Sequence, residues 1–156
     1  PEMVLLVKKI CEIIESGADF DTVVSKAELY SNHTHIVFAL SSFNNLVKNG
    51  RMSKIVGFVA NKLGFWGIGI GSKQGTIEIK QKIRGSKKAL DAIIDDMKER
   101  GYNCGKVVIS HCRNAEFAES VKSAIQSVWD KAEVKIVHAR GLCSYYAEKG
   151  GLIIGF

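Results

Sequence analysis

The sequence predicts an α/β fold in which helices pack against a mixed six-stranded sheet. Strand-like stretches recur along the whole chain, amphipathic helical stretches separate most of them, and one strand pair is joined by a turn so short that it must be an antiparallel hairpin. In chain order, residues 3–16 (MVLLVKKICEIIES) carry apolar groups at helical spacing and close at Gly17, and residues 20–30 give a weaker helical pattern after Asp19. HIVFAL at 35–40 reads as a strand. A short helix over 42–48 stops at Gly50, and 52–63 forms another with Met52, Ile55, Val56, Val59 and Leu63 on one side. GFWGIGIGSKQGTIEIKQK gives two strands around a turn at 72–75. SKKALDAIIDDMKER at 86–100 is amphipathic and ends at Gly101. KVVISHC is a strand, NAEFAESVKSAIQSVWDK a helix capped by Asn114, EVKIVHAR a strand, and GLIIGF the closing strand.

With 156 residues, 46% of them apolar and 24% charged, the chain suits one globular domain over 1–156. Its single proline is Pro1, and no proline-rich linker or repeat divides it. No apolar run approaches the roughly eighteen residues of a membrane span, and the start at Pro1 shows neither a basic segment nor a cleavage site, so a cytoplasmic protein is expected. Cys11, Cys104, Cys112 and Cys143 are scattered without a CxxC pair, which predicts reduced, mostly buried thiols. The net charge is +6, and Lys80, Lys82, Arg84, Lys87 and Lys88 form the densest basic run. That run has no interleaved aromatics and spans a strand end and a helix start, which predicts a solvated face; an RNA-binding module is the alternative.

Gly67, Gly69 and Gly71 are no dinucleotide fingerprint, because they lie within a strand that turns into a second strand, not into a helix. They share one face while Trp66, Ile68 and Ile70 share the other, so a packed helix or a ligand chain should approach the glycine face closely. His111 and Cys112 suggest a cysteine-dependent hydrolase, but neighbours on a strand point to opposite faces and cannot pair as nucleophile and base. His33 and His35 lack a third ligand at a recognisable distance, and no metal site is expected. Arg51 in the first turn of a helix would oppose the macrodipole and so calls for an anion, which the helix N–H groups and the Ser53 hydroxyl could share; a solvated arginine or a salt bridge is the alternative.

NLVKNGRMSK resembles the glycine-arginine-serine signature of the DegV family of bacterial fatty-acid-binding proteins. The resemblance continues through GTIEIKQKIRGSKKAL, VVISHCRNAEFAESVKSAI and GGLIIGF, several motifs in order over nearly the whole chain. It implies the C-terminal half of a two-domain protein, a two-layer α/β sandwich with a mixed six-stranded sheet, with the N-terminal domain absent from this chain. It further implies a non-catalytic protein without cofactor. Such a protein holds a long-chain fatty acid in an interdomain cleft and presents the carboxylate to a partner kinase that makes acyl phosphate for phospholipid synthesis. By position, Arg51, with Ser53 beside it, falls in the head-group region, and Arg84 and Lys54 fall where the family meets the kinase. Ile55, Phe58, Val59, Phe65, Gly67 and Gly69 are the acyl-chain candidates. Tyr146 replaces the family histidine, and Glu148 and Lys149 replace a glycine and proline; a tyrosine donates a hydrogen bond but stays neutral near pH 7.

Overall fold

The computed structural model describes residues 1–51, 65–72 and 76–156. The helix expected over 52–63, and with it Ser53, Lys54, Ile55, Phe58 and Val59, lies outside the described residues. Helices α1 (Glu2–Glu15) and α2 (Phe20–Ser31) lead into β1 (Ile36–Leu40), followed by α3 (Asn44–Lys48) and the β2 (Phe65–Gly71) and β3 (Ile77–Arg84) hairpin. Then come α4 (Ser86–Glu99), β4 (Lys106–His111), α5 (Ala115–Val128), β5 (Glu133–His138), α6 (Gly141–Ala147) and β6 (Leu152–Gly155). The strands form one six-stranded sheet in the order β3-β2-β1-β6-β4-β5. Only β4 and β5 run parallel; every other pairing is antiparallel. The mixed sheet and its packed helices are those expected from the sequence, and α6 is an addition to them.

Local chemistry explains several boundaries. Asp19 accepts the Thr22 amide at 2.8 Å and starts α2 as expected. At the end of α3, Gly50 turns left-handed with φ +67°, its N–H bonds Val47 O, and the Arg51 N–H reaches back to Leu46 O at 2.8 Å. That pair of bonds is a Schellman motif, so the asparagine-glycine-arginine stretch first serves as a helix stop. Asn114 does occupy the N-cap of α5, but its side chain donates to Gly150 O at 2.8 Å instead of capping. The expectation of mostly buried thiols is corrected: Cys11, Cys104 and Cys143 are exposed and Cys112 is half-buried, because the first three sit on helix or loop surfaces turned from the sheet. All four are free thiols.

One sheet face packs on α4 and α5. Ala89, Ala92, Ile93 and Met97 of α4 and Phe117, Ala118, Val121 and Ile125 of α5 recur at helical spacing and bury against Val37, Ala39, Ile68, Val107, Ile109, Leu152 and Ile154. The opposite face carries a smaller cluster of Phe38, Leu40, Phe43, Leu46 and Ala147, with α3 and α6 laid over it. A bulge in β3 changes phase between these faces. The pairing shifts between Ile68 and Gly69, leaving Lys80 as the extra residue, so Ile77 and Ile79 join the smaller cluster while Ile83 joins the main core. Lys80 turns to α4, where its Nζ lies 2.9 Å from Asp96 and 2.9 Å from Glu99.

The glycine face of β2 is approached by two phenyl rings rather than a helix. A Cβ on Gly67 would lie 2.1 Å from the Phe43 ring, and one on Gly69 would lie 2.4 Å from the Glu78 carbonyl oxygen and 2.5 Å from the Phe38 ring. Gly71 is less crowded, its nearest neighbour being Ile36 Cγ2 at 3.2 Å. Gly69→Ala, which collides with backbone that cannot rotate away, should therefore lower the unfolding free energy by about 3 kcal/mol, and Gly71→Ala by about 1 kcal/mol or less. Urea denaturation of the two variants tests that ranking.

Candidate functional site

Between the sheet and the short helices lies a cavity of about 390 Å³. Its apolar lining comes from Ile36, Phe38 and Leu40 of β1, Ile77 of β3, Ile153 of β6 and Leu46 of α3. Because β1 side chains alternate, Ile36, Phe38 and Leu40 all project to this side, and the volume is within the range of small-ligand sites. Near the end of β1 the wall is Tyr146 and Ala147 of α6. Tyr146 is half-buried, and its hydroxyl makes no hydrogen bond to a described residue.

Near the start of β1 the lining is polar and includes Glu2, Thr34, His35, Ser72, Thr76 and Arg100. Arg100 follows α4 and donates from Nε to the buried Asp96 carboxylate at 2.8 Å. The Thr34 hydroxyl lies 3.0 Å from Glu2 Oε1, and the Ser72 and Thr76 hydroxyls are 2.7 Å apart. His35 packs on Phe156 with ring centroids 5.7 Å apart; burial, then the Arg100 charge, holds its pKa below the ordinary imidazole value, so it is neutral at pH 7.

The walls are locked by a polar network. Glu148 takes a left-handed backbone with φ +53° and places its carboxylate at the start of α3, accepting the Asn45 amide at 2.8 Å and the Ser42 hydroxyl at 2.6 Å. Asn45 donates to Tyr145 O at 2.8 Å, and Asn49 donates to the Tyr145 hydroxyl at 2.9 Å. A five-residue helix has little stability of its own, so these bonds fix Leu46 and Tyr146 over the cavity.

The sequence candidates are distributed unevenly around this site. Tyr146 lines the cavity, and Gly67 and Gly69 lie beneath the Phe43 and Phe38 rings, of which Phe38 is cavity floor. Phe65 is half-buried, with the Arg84 guanidinium 5.9 Å from its ring centroid. Arg51 is exposed and makes no ion pair with a described residue. Of the basic run, Lys80 is consumed by α4 carboxylates and Lys82, Lys87 and Lys88 are exposed. His111 and Cys112 do not pair: His111 Nδ1 accepts the Asn114 amide at 3.1 Å, while the Cys112 thiol faces Ser144 O at 3.8 Å within the α3 and α6 cluster. His33 Nδ1 lies 2.7 Å from Leu29 O, and no group of three metal-ligating side chains occurs among the described residues. Arg100 and Ile153 went unnoticed in the sequence; the only available signal was that HIVFAL is apolar on both faces and therefore needs cover on both.

Two consequences can be measured. Glu148→Ala removes both carboxylate bonds and keeps the left-handed strain, so it should cost about 2 kcal/mol, whereas Glu148→Gly should recover about 1 kcal/mol of that by relieving the strain. Urea denaturation should thus rank wild type above Glu148→Gly and Glu148→Gly above Glu148→Ala. The second concerns pH. His35, and His111 through burial and the neighbouring His138, bind protons less readily folded than unfolded, where the value is 6.5. Their contribution to stability is therefore complete above about pH 6.5 and is lost as the pH falls below it. The urea midpoint should drop between about pH 7.5 and about pH 5, and a double variant His35→Phe, His111→Gln should show a shallower drop.

Comparison with known proteins gives this architecture a family. The DegV family model, described as uncharacterised, matches residues 2–156. The chain is 41% identical over 155 residues to a DegV domain-containing protein of Streptococcus pyogenes serotype M1, covering 99% of this chain and 55% of that protein. The chain thus spans about half the length of the curated relatives it matches. Among solved structures, the Streptococcus pneumoniae fatty acid kinase B3 protein loaded with linoleic acid superposes with a TM-score of 0.96 at 39% identity, over 99% of this chain and 55% of that one. A DegV family protein from Eubacterium eligens loaded with heptadecanoic acid gives a TM-score of 0.97 at 35% identity, over 99% of this chain and 56% of that one. On this agreement of sequence and fold, the chain belongs to the DegV family.

Proposed function

We propose that the cavity takes the acyl chain of a long-chain fatty acid, and that the chain is a non-catalytic lipid-binding unit without cofactor. The observation that carries this reading is the apolar floor of Ile36, Phe38, Leu40, Ile77 and Ile153 under a lid of α3 and α6, in a fold that superposes on proteins loaded with linoleic and heptadecanoic acids. Each buried CH₂ contributes up to ~0.8 kcal/mol, so the tail supplies most of the affinity and polar groups only orient the charged end. Tyr146 is the head-group donor: it lines the cavity, and its hydroxyl makes no hydrogen bond to a described residue. Arg51 and Ser53 complete the head-group region, and Ile55, Phe58, Val59 and Phe65 extend the acyl lining, with Gly67 and Gly69 making room for its rings.

The full protein closes an N-terminal domain over the cleft and works in the cytoplasm. The name of the pneumococcal neighbour supports a kinase partner, which would phosphorylate the presented carboxylate for phospholipid synthesis. Exposed Arg84, with Lys54, would meet that kinase.

Solvent extraction and mass spectrometry of the purified full-length protein should find one fatty acid per molecule, with the 156-residue chain alone nearly empty. Ile153→Trp fills the floor and should cut occupancy at least about tenfold, and Tyr146→Phe should weaken binding about fivefold, the worth of one hydrogen bond. Absence of lipid from the full-length protein under lipid-preserving conditions would overturn the reading.

A further inference from the structure

Strands β4 and β5 end side by side, with His111 opposite His138 in the parallel register. Open α/β sheets bind ligands beyond the carboxyl ends of parallel strands, where the chain leaves for a helix. Here it leaves β4 through Cys112, Arg113 and Asn114 into the 14-residue α5, with Arg113 in a left-handed conformation at φ +52°. A non-glycine residue held there is an uncommon and mildly strained feature.

The opening at this end is about 650 Å³, lined by His111, His138, Arg113, Lys149, Ser144 and Tyr145 among others. His111 is only 3% exposed. Its Nδ1 accepts the Asn114 N–H, so the neutral ring carries its proton on Nε2. Nε2 makes no hydrogen bond to the protein, yet no fully buried side-chain nitrogen or oxygen among the described residues lacks a partner. It must therefore face the opening. Burial and His138 hold the His111 pKa below the ordinary value, which keeps this donor neutral at pH 7. The other lining charges are fixed and positive, from Arg113 and Lys149, and no carboxylate lines the opening. Glu148 is turned away to Ser42 and Asn45, and Glu116 in the first turn of α5 is exposed outside the lining. The Tyr145 hydroxyl accepts from Asn49 and keeps its own proton to give.

We infer that this opening binds a dianionic phosphoryl group, received by the buried His111 Nε2–H and flanked by Arg113 and Lys149. Two fixed cations beside the His111 and Tyr145 donors, with no carboxylate in the lining, match the charge and the several acceptor oxygens of phosphate, whereas a single carboxylate would leave one cation unmatched. The site is on the opposite side of α6 from the acyl cavity, shares none of its lining residues, and is independent of the fatty-acid reading.

The test is an NMR titration of the full-length protein labelled with ¹⁵N-histidine, with the His111 resonance assigned by its loss in His111→Gln. Inorganic phosphate and glycerol phosphate are added separately at constant ionic strength. A saturable shift of His111, weakened at least about tenfold in Arg113→Gly and in Lys149→Ala, supports the site; glycine accepts the left-handed backbone, so the first variant keeps the fold. Tighter binding of the ester assigns the phosphoryl group to an organic phosphate, and equal binding assigns it to the free ion. Shifts that merely match a sodium chloride control, or that survive both substitutions, overturn it. Lipid content should be unchanged in both variants.

Discussion

Strand β1 is apolar on both faces, and much of the structure follows from the unequal cover those faces receive. Val37 and Ala39 meet α4 and α5, two helices of 14 residues each whose buried alanines allow a close fit. Phe38 and Leu40, on the other face, are met by helices of five and seven residues. Among the described residues, these short elements leave part of that face uncovered, where the cavity lies. The glycines of β2 leave room for the tips of the Phe43 and Phe38 rings, and the cavity lies on the same side of the sheet. In this arrangement the candidate cavity is the part of the core that the described side chains leave unfilled.

The same shortage of cover explains why the wall is polar at its back. Neither α3 nor α6 has the length to hold itself in place by helix propensity, so Glu148, Asn45, Asn49 and Tyr145 carry that task through hydrogen bonds. Glu148 adopts φ +53° and ψ 176°, a region that costs an ordinary residue about 1–3 kcal/mol, and two hydrogen bonds to its carboxylate, each worth about 1.5–3 kcal/mol, offset it. Glu148 thus sets backbone strain against a hydrogen-bonded cap for α3.

Elements with a strong local cause were legible in the sequence. The inner faces of α4 and α5 follow from their periodicity, the start of α2 from Asp19, the end of α3 from Gly50, and the hairpin from its turn. What stayed hidden depended on residues far apart in the chain. The bulge that turns Lys80 toward Asp96 has no local signature, because its cause is a partner sixteen positions away. Helix α6 has only seven residues and is held by contacts to α3. The role of Asn114 was misread for the same reason: its side chain prefers Gly150, thirty-six positions on, to its own helix. Of the candidate site, Tyr146 was placed through family resemblance and Arg100 was missed, since nothing near it in sequence points to a cavity built from β1.

The charges at the two ends of the cavity bear on which way an acyl anion would lie. Near the start of β1 the positive groups are already answered: Arg100 by Asp96, Lys80 by Asp96 and Glu99, and Glu2 adds a further negative charge. His35, neutral at pH 7, brings no counterbalance. A carboxylate entering there would meet a surplus of negative charge in a partly buried setting, where an unfavourable contact at 4 Å costs about 4 kcal/mol at an effective dielectric constant of 20. At the Tyr146 end no carboxylate lines the cavity among the described residues, and Glu148, two positions on, is satisfied by two hydrogen bonds. On the fatty-acid reading proposed above, the described charges along β1 would favour the anionic head beside Tyr146 and the methyl end toward Ile36, the orientation in which the tyrosine hydroxyl could meet the carboxylate.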